Sequence, residues 1–196
     1  MAFLILVIGD LHIPDRALDI PPKTLCLGNL TDRSTYDYLR SISPDLKMVK
    51  GRMDVEATSL PLTQVVTHGS LRVGFLEGFT LVSDEPDVLL AEANRLDVDV
   101  LCWSGGTHRF ECFEYMDKFF VNPGSATGAL TTDWAAAAGS GNGEGEEVVP
   151  SFCLMDVQGI SLTLYVYQLR KGENGAENVA VEKVTYTKPV EPTGAS

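Results

Sequence analysis

Basic residues, histidine and paired cysteines are what this 196-residue chain has least of, and each scarcity removes a class of function. Fifteen Lys and Arg stand against 27 Asp and Glu, a formal net charge of -12, which opposes nonspecific attraction to nucleic acid or anionic lipid. No nucleic-acid partner is expected, and any membrane association should be indirect. The four cysteines, Cys26, Cys102, Cys112 and Cys153, lie in apolar runs without a C-x-x-C pair. They read as small buried hydrophobes of a reducing compartment, not as a zinc cluster or a disulfide framework. No stretch reaches the roughly 18 apolar residues a membrane span needs. The apolar run at 3–8 ends before Asp10, with neither a basic start nor a cleavage pattern behind it, so a core strand is expected there rather than a leader. Of three histidines, His68 sits beside Gly69 and Ser70 in an expected hairpin turn, facing solvent. Only His12 and His108 remain as a pair that could share a site.

What is present fits one folded domain over 1–196: 44% hydrophobic and 21% charged residues can build a substantial core. Short strands are expected at 3–8, 24–27, 46–50, 63–67, 71–76, 98–103, 110–115 and 119–121, and three consecutive ones at 152–157, 162–169 and 179–186. A helix is expected over 34–41, with Tyr38 and Leu39 on its buried face. A second helix, capped by Asp84, carries Val88, Leu89, Ala93 and Leu96 at helical spacing. The fold predicted is an α/β/β/α sandwich of two mixed sheets. The Gly, Ala and Glu-rich segment 135–147 and the tail 189–196 have little to pack and are expected to be a flexible loop and a disordered end. Pro22 and Lys23 run almost directly into the strand at 24–27, although parallel strands need a crossover of a dozen or more residues. Either a crossover segment is deleted near Lys23 and Thr24, or the sequence omits it.

Chemistry concentrates at the ends of the apolar strands. Gly9-Asp10-Leu11-His12 delivers an Asp and a His to one side of a sheet end, where α/β proteins bind ligands. Three later turns follow apolar runs in the same way: Gly28-Asn29-Leu30-Thr31-Asp32-Arg33, Gly51-Arg52-Met53-Asp54 and Ser104-Gly105-Gly106-Thr107-His108. In order and spacing these pieces resemble the metallophosphoesterase superfamily. The departures carry the meaning, because Asn29 stands for the family's metal-bridging Asp and Arg52 for its Asn. Glu77-Gly78-Phe79 replaces an H-G-H turn, and Gly106 replaces the first His of G-H-x-H. Two cations about 3.5 to 4 Å apart need bridging carboxylates, which Asn29 cannot supply. A guanidinium at Arg52 repels a dication by roughly 1 to 4 kcal/mol or more per unit of the ion's charge at about 4 Å, and it would pair more naturally with Asp10 or Asp54. Asp10, His12, Asn29 and His108 therefore read as a vestigial site, with no cofactor required and at most a weakly held residual divalent metal.

Five further segments narrow the resemblance: Gly9 to Pro14, Ser34 to Leu39 (STYDYL), Asn122 to Gly128 (NPGSATG), Pro150-Ser151-Phe152 and Tyr165 to Leu169 (YVYQL). They resemble the family of the small metallophosphoesterase-fold subunit of retromer over most of the chain. That resemblance implies a non-catalytic cytoplasmic scaffold, carried to endosomal membranes within the complex and serving endosome-to-Golgi and endosome-to-surface cargo transport. It also implies two partner surfaces. Phe79, Leu81 and Val82 would dock the C-terminal part of the long α-solenoid subunit. Leu4, Leu154, Tyr165, Tyr167 and Val181 would form an apolar face for short peptide segments of regulators, among them a Rab GTPase-activating protein. The alternative is a weak metal-dependent phosphoesterase.

Overall fold

Alternating burial along the strands sorts the chain into two sheets packed face to face. The structure is a computed structural model that describes residues 2–9, 23–54, 59–129, 148–172 and 175–190. Six strands form the first sheet: β1 (Ala2–Ile8), β2 (Lys23–Cys26), β3 (Asp45–Met48), β9 (Ser151–Gln158), β10 (Ser161–Lys171) and β11 (Glu177–Thr187). Their order is β11-β10-β9-β1-β2-β3, parallel through β1, β2 and β3 and antiparallel elsewhere. The second sheet, ordered β4-β5-β6-β8-β7, contains β4 (Thr63–His68), β5 (Leu71–Glu77), β6 (Val100–Ser104), β7 (Phe110–Tyr115) and β8 (Lys118–Pro123).

Three apolar clusters define four layers. Ile5, Val7, Phe75, Cys102, Met155, Val166 and others fill the space between the sheets. Leu6, Ile8, Cys26 and Met48 on the outer face of the first sheet meet Leu39 of helix α1 (Arg33–Ile42). Leu76, Trp103 and Phe120 meet Leu89 and Ala93 of helix α2 (Pro86–Leu96) on the outer face of the second. The predicted helix, sheet, sheet, helix layering is therefore present. Truncating a fully buried anchor such as Leu39 to Ala should cost about 2–5 kcal/mol, because the helix cannot close the void behind it.

Several sequence expectations change in detail. Helix α1 is capped by Asp32, whose carboxylate accepts the Thr35 N–H at 2.9 Å, and its buried positions are Thr35 and Leu39, whereas Tyr38 is 36% exposed. Asp84 does not cap α2. That helix starts from Glu85 without a side-chain cap hydrogen bond, and Pro86 at its first position presets the helical φ, so Asp84 lies one residue ahead of the cap. His68 ends β4 buried rather than facing solvent, its ring 5.6 Å from Phe3 of the other sheet. Lys23 and Thr24 are consecutive residues of β2, paired with Asp45 and Leu46. The connection between β1 and β2, residues 10–22, lies outside the described residues. The expected flexible loop at 135–147 also falls outside them, as does the tail from 191.

Candidate functional site

The ends of β2, β3 and β5 converge on three buried polar side chains: Asn29, Asp54 and Glu77. Asp54 accepts backbone N–H groups of Asn29, Leu30 and Gly51, each at 2.8 Å, and of Thr31 at 3.1 Å. This cradle holds Asn29 and Thr31 at φ of 59° and 66°, a left-handed conformation that a β-branched Thr reaches only under restraint. The Asn29 amide then uses both ends. Its Oδ1 accepts from the Met53 N–H at 3.0 Å and its Nδ2 donates to Glu77 Oε1 at 3.3 Å, while Glu77 Oε2 accepts from the Phe79 N–H at 2.9 Å. Three loops are thus tied together by hydrogen bonds where the superfamily has metal ligands.

That network decides what the residues can hold. A bridged metal pair needs carboxylate lone pairs aimed at the ions, yet Asp54 directs its oxygens at four backbone donors and Glu77 directs both of its oxygens at protein donors. Glycine reinforces the closure, since a Cβ at Gly51 would lie 2.3 Å from Asn29 Oδ1 and one at Gly105 2.8 Å from Glu77 Oε1. The described residues therefore do not fit a two-metal centre. Arg52 is exposed, and Asp54 is occupied by the backbone. Asp10 and His12 lie outside the described residues.

His108 is buried at φ 55°, and its Nδ1 is 2.8 Å from the Ala129 carbonyl, which can only accept. The proton is thereby assigned to Nδ1, which leaves the lone pair on Nε2, the tautomer a metal-ligand histidine adopts. The NPGSATG segment fixes this loop: Gly124 N–H donates to Asn122 Oδ1 at 3.0 Å, Ser151 Oγ to the Pro123 carbonyl at 2.7 Å, and Ser125 N–H to the His108 carbonyl at 3.0 Å. Gly124 needs its φ of 75° and its missing side chain, because a Cβ would sit 2.2 Å from Ser151 Oγ. The most distinctive motif is structural glue between β8, β9 and the His108 turn.

Two apolar surfaces lie elsewhere. Directly after the Glu77 turn, a 3-10 turn over Gly78–Thr80 presents Phe79 at 43% exposure, and Val82 is 98% exposed. Leu81 between them is half-buried and packs on the α2 core. On the outer face of the first sheet, register places Tyr165 between Leu154 and Lys183, and Tyr167 between Phe152 and Val181. Leu4 pairs with Asp156, two positions along from Leu154 on the same face. The structure thus brings together all five residues predicted for this face. It adds Phe152, stacked on Tyr167 at 4.8 Å, and Val179, both predictable by counting in twos from Leu154 and Val181. Asp54 and Glu77, by contrast, carried no signal in sequence of the loops they lock.

The matching family model is the calcineurin-like phosphoesterase superfamily domain, over residues 3–159, which sets the class of the fold and of the strand-end site. Vacuolar protein sorting-associated protein 29 of Schizosaccharomyces pombe is 45% identical over 199 residues, covering 95% of this chain and 99% of its own. The crystal structure of Chaetomium thermophilum Vps29 is 80% identical with a TM-score of 0.81, covering 95% of this chain and 98% of that one. The same Chaetomium protein complexed with a cyclic peptide matches at 77% identity and TM-score 0.77, covering 96% and 99%. Vps29 of Entamoeba histolytica, complexed with Zn2+, is 33% identical with TM-score 0.74, covering 93% and 99%. The chain belongs to the Vps29 family within the calcineurin-like phosphoesterase superfamily.

Proposed function

We propose that the chain is the non-catalytic small scaffold subunit of retromer, acting in endosome-to-Golgi and endosome-to-surface cargo transport. The observation that carries this reading is the Asn29–Asp54–Glu77 network, which directs the polar atoms of a former metal site into loop-to-loop hydrogen bonds in a chain of the Vps29 family. A site arranged in this way cannot polarise a phosphate ester through a bridged cation pair, but it holds a rigid platform from which Phe79 and Val82 project. In this reading Phe79, Leu81 and Val82 dock the C-terminal part of the long α-solenoid subunit. Leu4, Leu154, Tyr165, Tyr167 and Val181 receive peptide segments of regulators such as a Rab GTPase-activating protein. Support for a peptide surface comes from the Chaetomium relative, solved with a cyclic peptide. Membrane association is through the complex, since no helix among the described residues is long and apolar enough to cross a membrane.

A second reading, a weak metal-dependent phosphoesterase, draws on the His108 tautomer and on the Entamoeba relative solved with Zn2+. Titration of the purified chain with the C-terminal half of the solenoid subunit, with and without EDTA, tests the first reading. Saturable one-to-one binding unchanged by the chelator supports the scaffold, and absence of binding overturns it. Hydrolysis of an aryl phosphate in millimolar manganese or zinc tests the second. Turnover at background is expected, and metal-dependent turnover abolished by Asp10→Ala would establish an enzyme.

A further inference from the structure

The two sheets end in four edge strands, and these are unequal. β3 is 4 residues long and β4 and β7 are 6 each, whereas β11 runs 11 residues, paired to β10 without a bulge along its whole length. The amides and carbonyls of alternate β11 residues therefore face away from β10, with no strand to meet them among the described residues. Edges are normally blunted by shortness, a bulge or proline. β11 has neither proline nor glycine, and the middle of its outer row is apolar, with Val179 62% and Val181 54% exposed.

The charges along this edge complement themselves. The chain as a whole carries -12, but Glu177 and Glu182 cancel Lys183 and Lys188, so β11 is a neutral window through which two acidic copies can approach. Antiparallel pairing that keeps both outer faces on one side matches each residue with one an even number of positions away. With a two-fold axis at Ala180, Glu177 falls opposite Lys183 of the second copy and Val179 opposite its Val181, each pair occurring twice. Such opposed side chains lie about 5 Å apart at Cβ. Moving the axis to Val179 or Val181 breaks both charge pairs, setting Glu177 against Val181 or Lys183 against Val179. Lys183 is held on the outer face, its ammonium 5.9 Å from the Tyr165 ring.

We infer that β11 is a self-association edge: two copies of the chain pair antiparallel through β11 about an axis at Ala180, joining their first sheets into one continuous sheet. Ladder hydrogen bonds supply the affinity, and the Val179–Val181 and Glu177–Lys183 pairs supply the register. The contact is that of one strand pair, so the dimer is weak and in exchange with monomer. Phe79 and Val82 take no part in it.

Sedimentation velocity of the full chain at neutral pH, from about 1 to about 300 µM, tests this. A concentration-dependent shift from monomer to dimer is expected, with a Kd below about 100 µM. Lys183→Glu or Glu177→Lys alone sets like charges opposite each other and should weaken the dimer about tenfold or more, and the two together should restore it to within about threefold. A chain that stays monomeric over the whole range overturns the inference and leaves the edge to a strand of another protein. Dimerisation indifferent to the single reversals, or not rescued by the double one, places the contact on another surface and overturns it equally. Glu177 and Lys183 are exposed, so the variants should fold, and an unchanged melting temperature verifies this.

Discussion

At the strand ends, Asn29, Asp54 and Glu77 direct their polar atoms inward, at one another and at the backbone of neighbouring loops; on the outer face of the first sheet, Tyr165, Tyr167 and Val181 direct apolar surface outward. The first region is closed by hydrogen bonds between loops. The second lies on the outer face of the first sheet, where Leu4 and Val181 remain exposed beyond the apolar cluster that α1 forms with β1, β2 and β3. In the function proposed above, loss of chemistry and gain of contact surface are separate events.

The comparison breaks most readily at Asp54. Asp54→Ala leaves four loop N–H groups without an acceptor and frees Asn29 and Thr31 from their left-handed conformations, so a loss of more than about 3 kcal/mol is expected in chemical denaturation. A cost below about 1 kcal/mol would mean that water satisfies these groups and that the loop platform is not built as described.

A smaller effect on stability, with a large one on binding, is expected at the open face. Replacing Tyr165 and Tyr167 together by Ser removes the Phe152 stack and the Lys183 contact, 5.9 Å from the Tyr165 ring, at a cost of about 1–2 kcal/mol. Regulator-peptide affinity should fall by about thirtyfold or more, since half-buried tyrosines that present a ring face act as anchors. Global unfolding of the double variant would show that they belong to the core instead.

The mildest prediction concerns His68. Burial against Phe3, with Lys23 nearby, holds its imidazole below the usual 6.5, so folding favours the neutral ring. Its contribution is complete above pH 6.5 and is lost as pH falls from there through the folded-state value. Thermal melts between pH 7.5 and 5.5 should show a decline that His68→Phe flattens, and equal slopes in the two proteins would assign the decline to other groups.

Much of the architecture was legible because the determinants are local. Period-two alternation in β9 and β10 sorted Tyr165, Tyr167 and Leu154 onto one face, and glycine turns after apolar runs marked each strand end. What escaped was nonlocal. The burial of His68 depends on Phe3 from the opposite sheet, and the role of Asp54 depends on donors from a loop 23 to 25 residues away. Tyr38 was misplaced because a helix lying on a short sheet edge buries a narrower stripe than helical period alone suggests, here Thr35 and Leu39. Asp84 lies one residue ahead of the cap because Pro86, with its preset φ, takes the first helical position and makes Glu85 the cap. At the site, the sequence marked Asn29 as a position of interest, but its hydrogen-bond partners in other loops could not be read from it.

The central claim, two separable protein surfaces on a fold that has lost its metal chemistry, is tested most directly by one crossed binding measurement. Val82→Asp and the Tyr165/Tyr167 double Ser variant are each titrated with the solenoid C-terminal half and with a regulator peptide. Val82 is 98% exposed, so its substitution should leave the melting temperature unchanged. The account predicts that Val82→Asp weakens solenoid binding by about a hundredfold and spares the peptide, while the tyrosine variant does the reverse. Loss of both partners in either variant, or solenoid binding untouched by Val82→Asp, would contradict it.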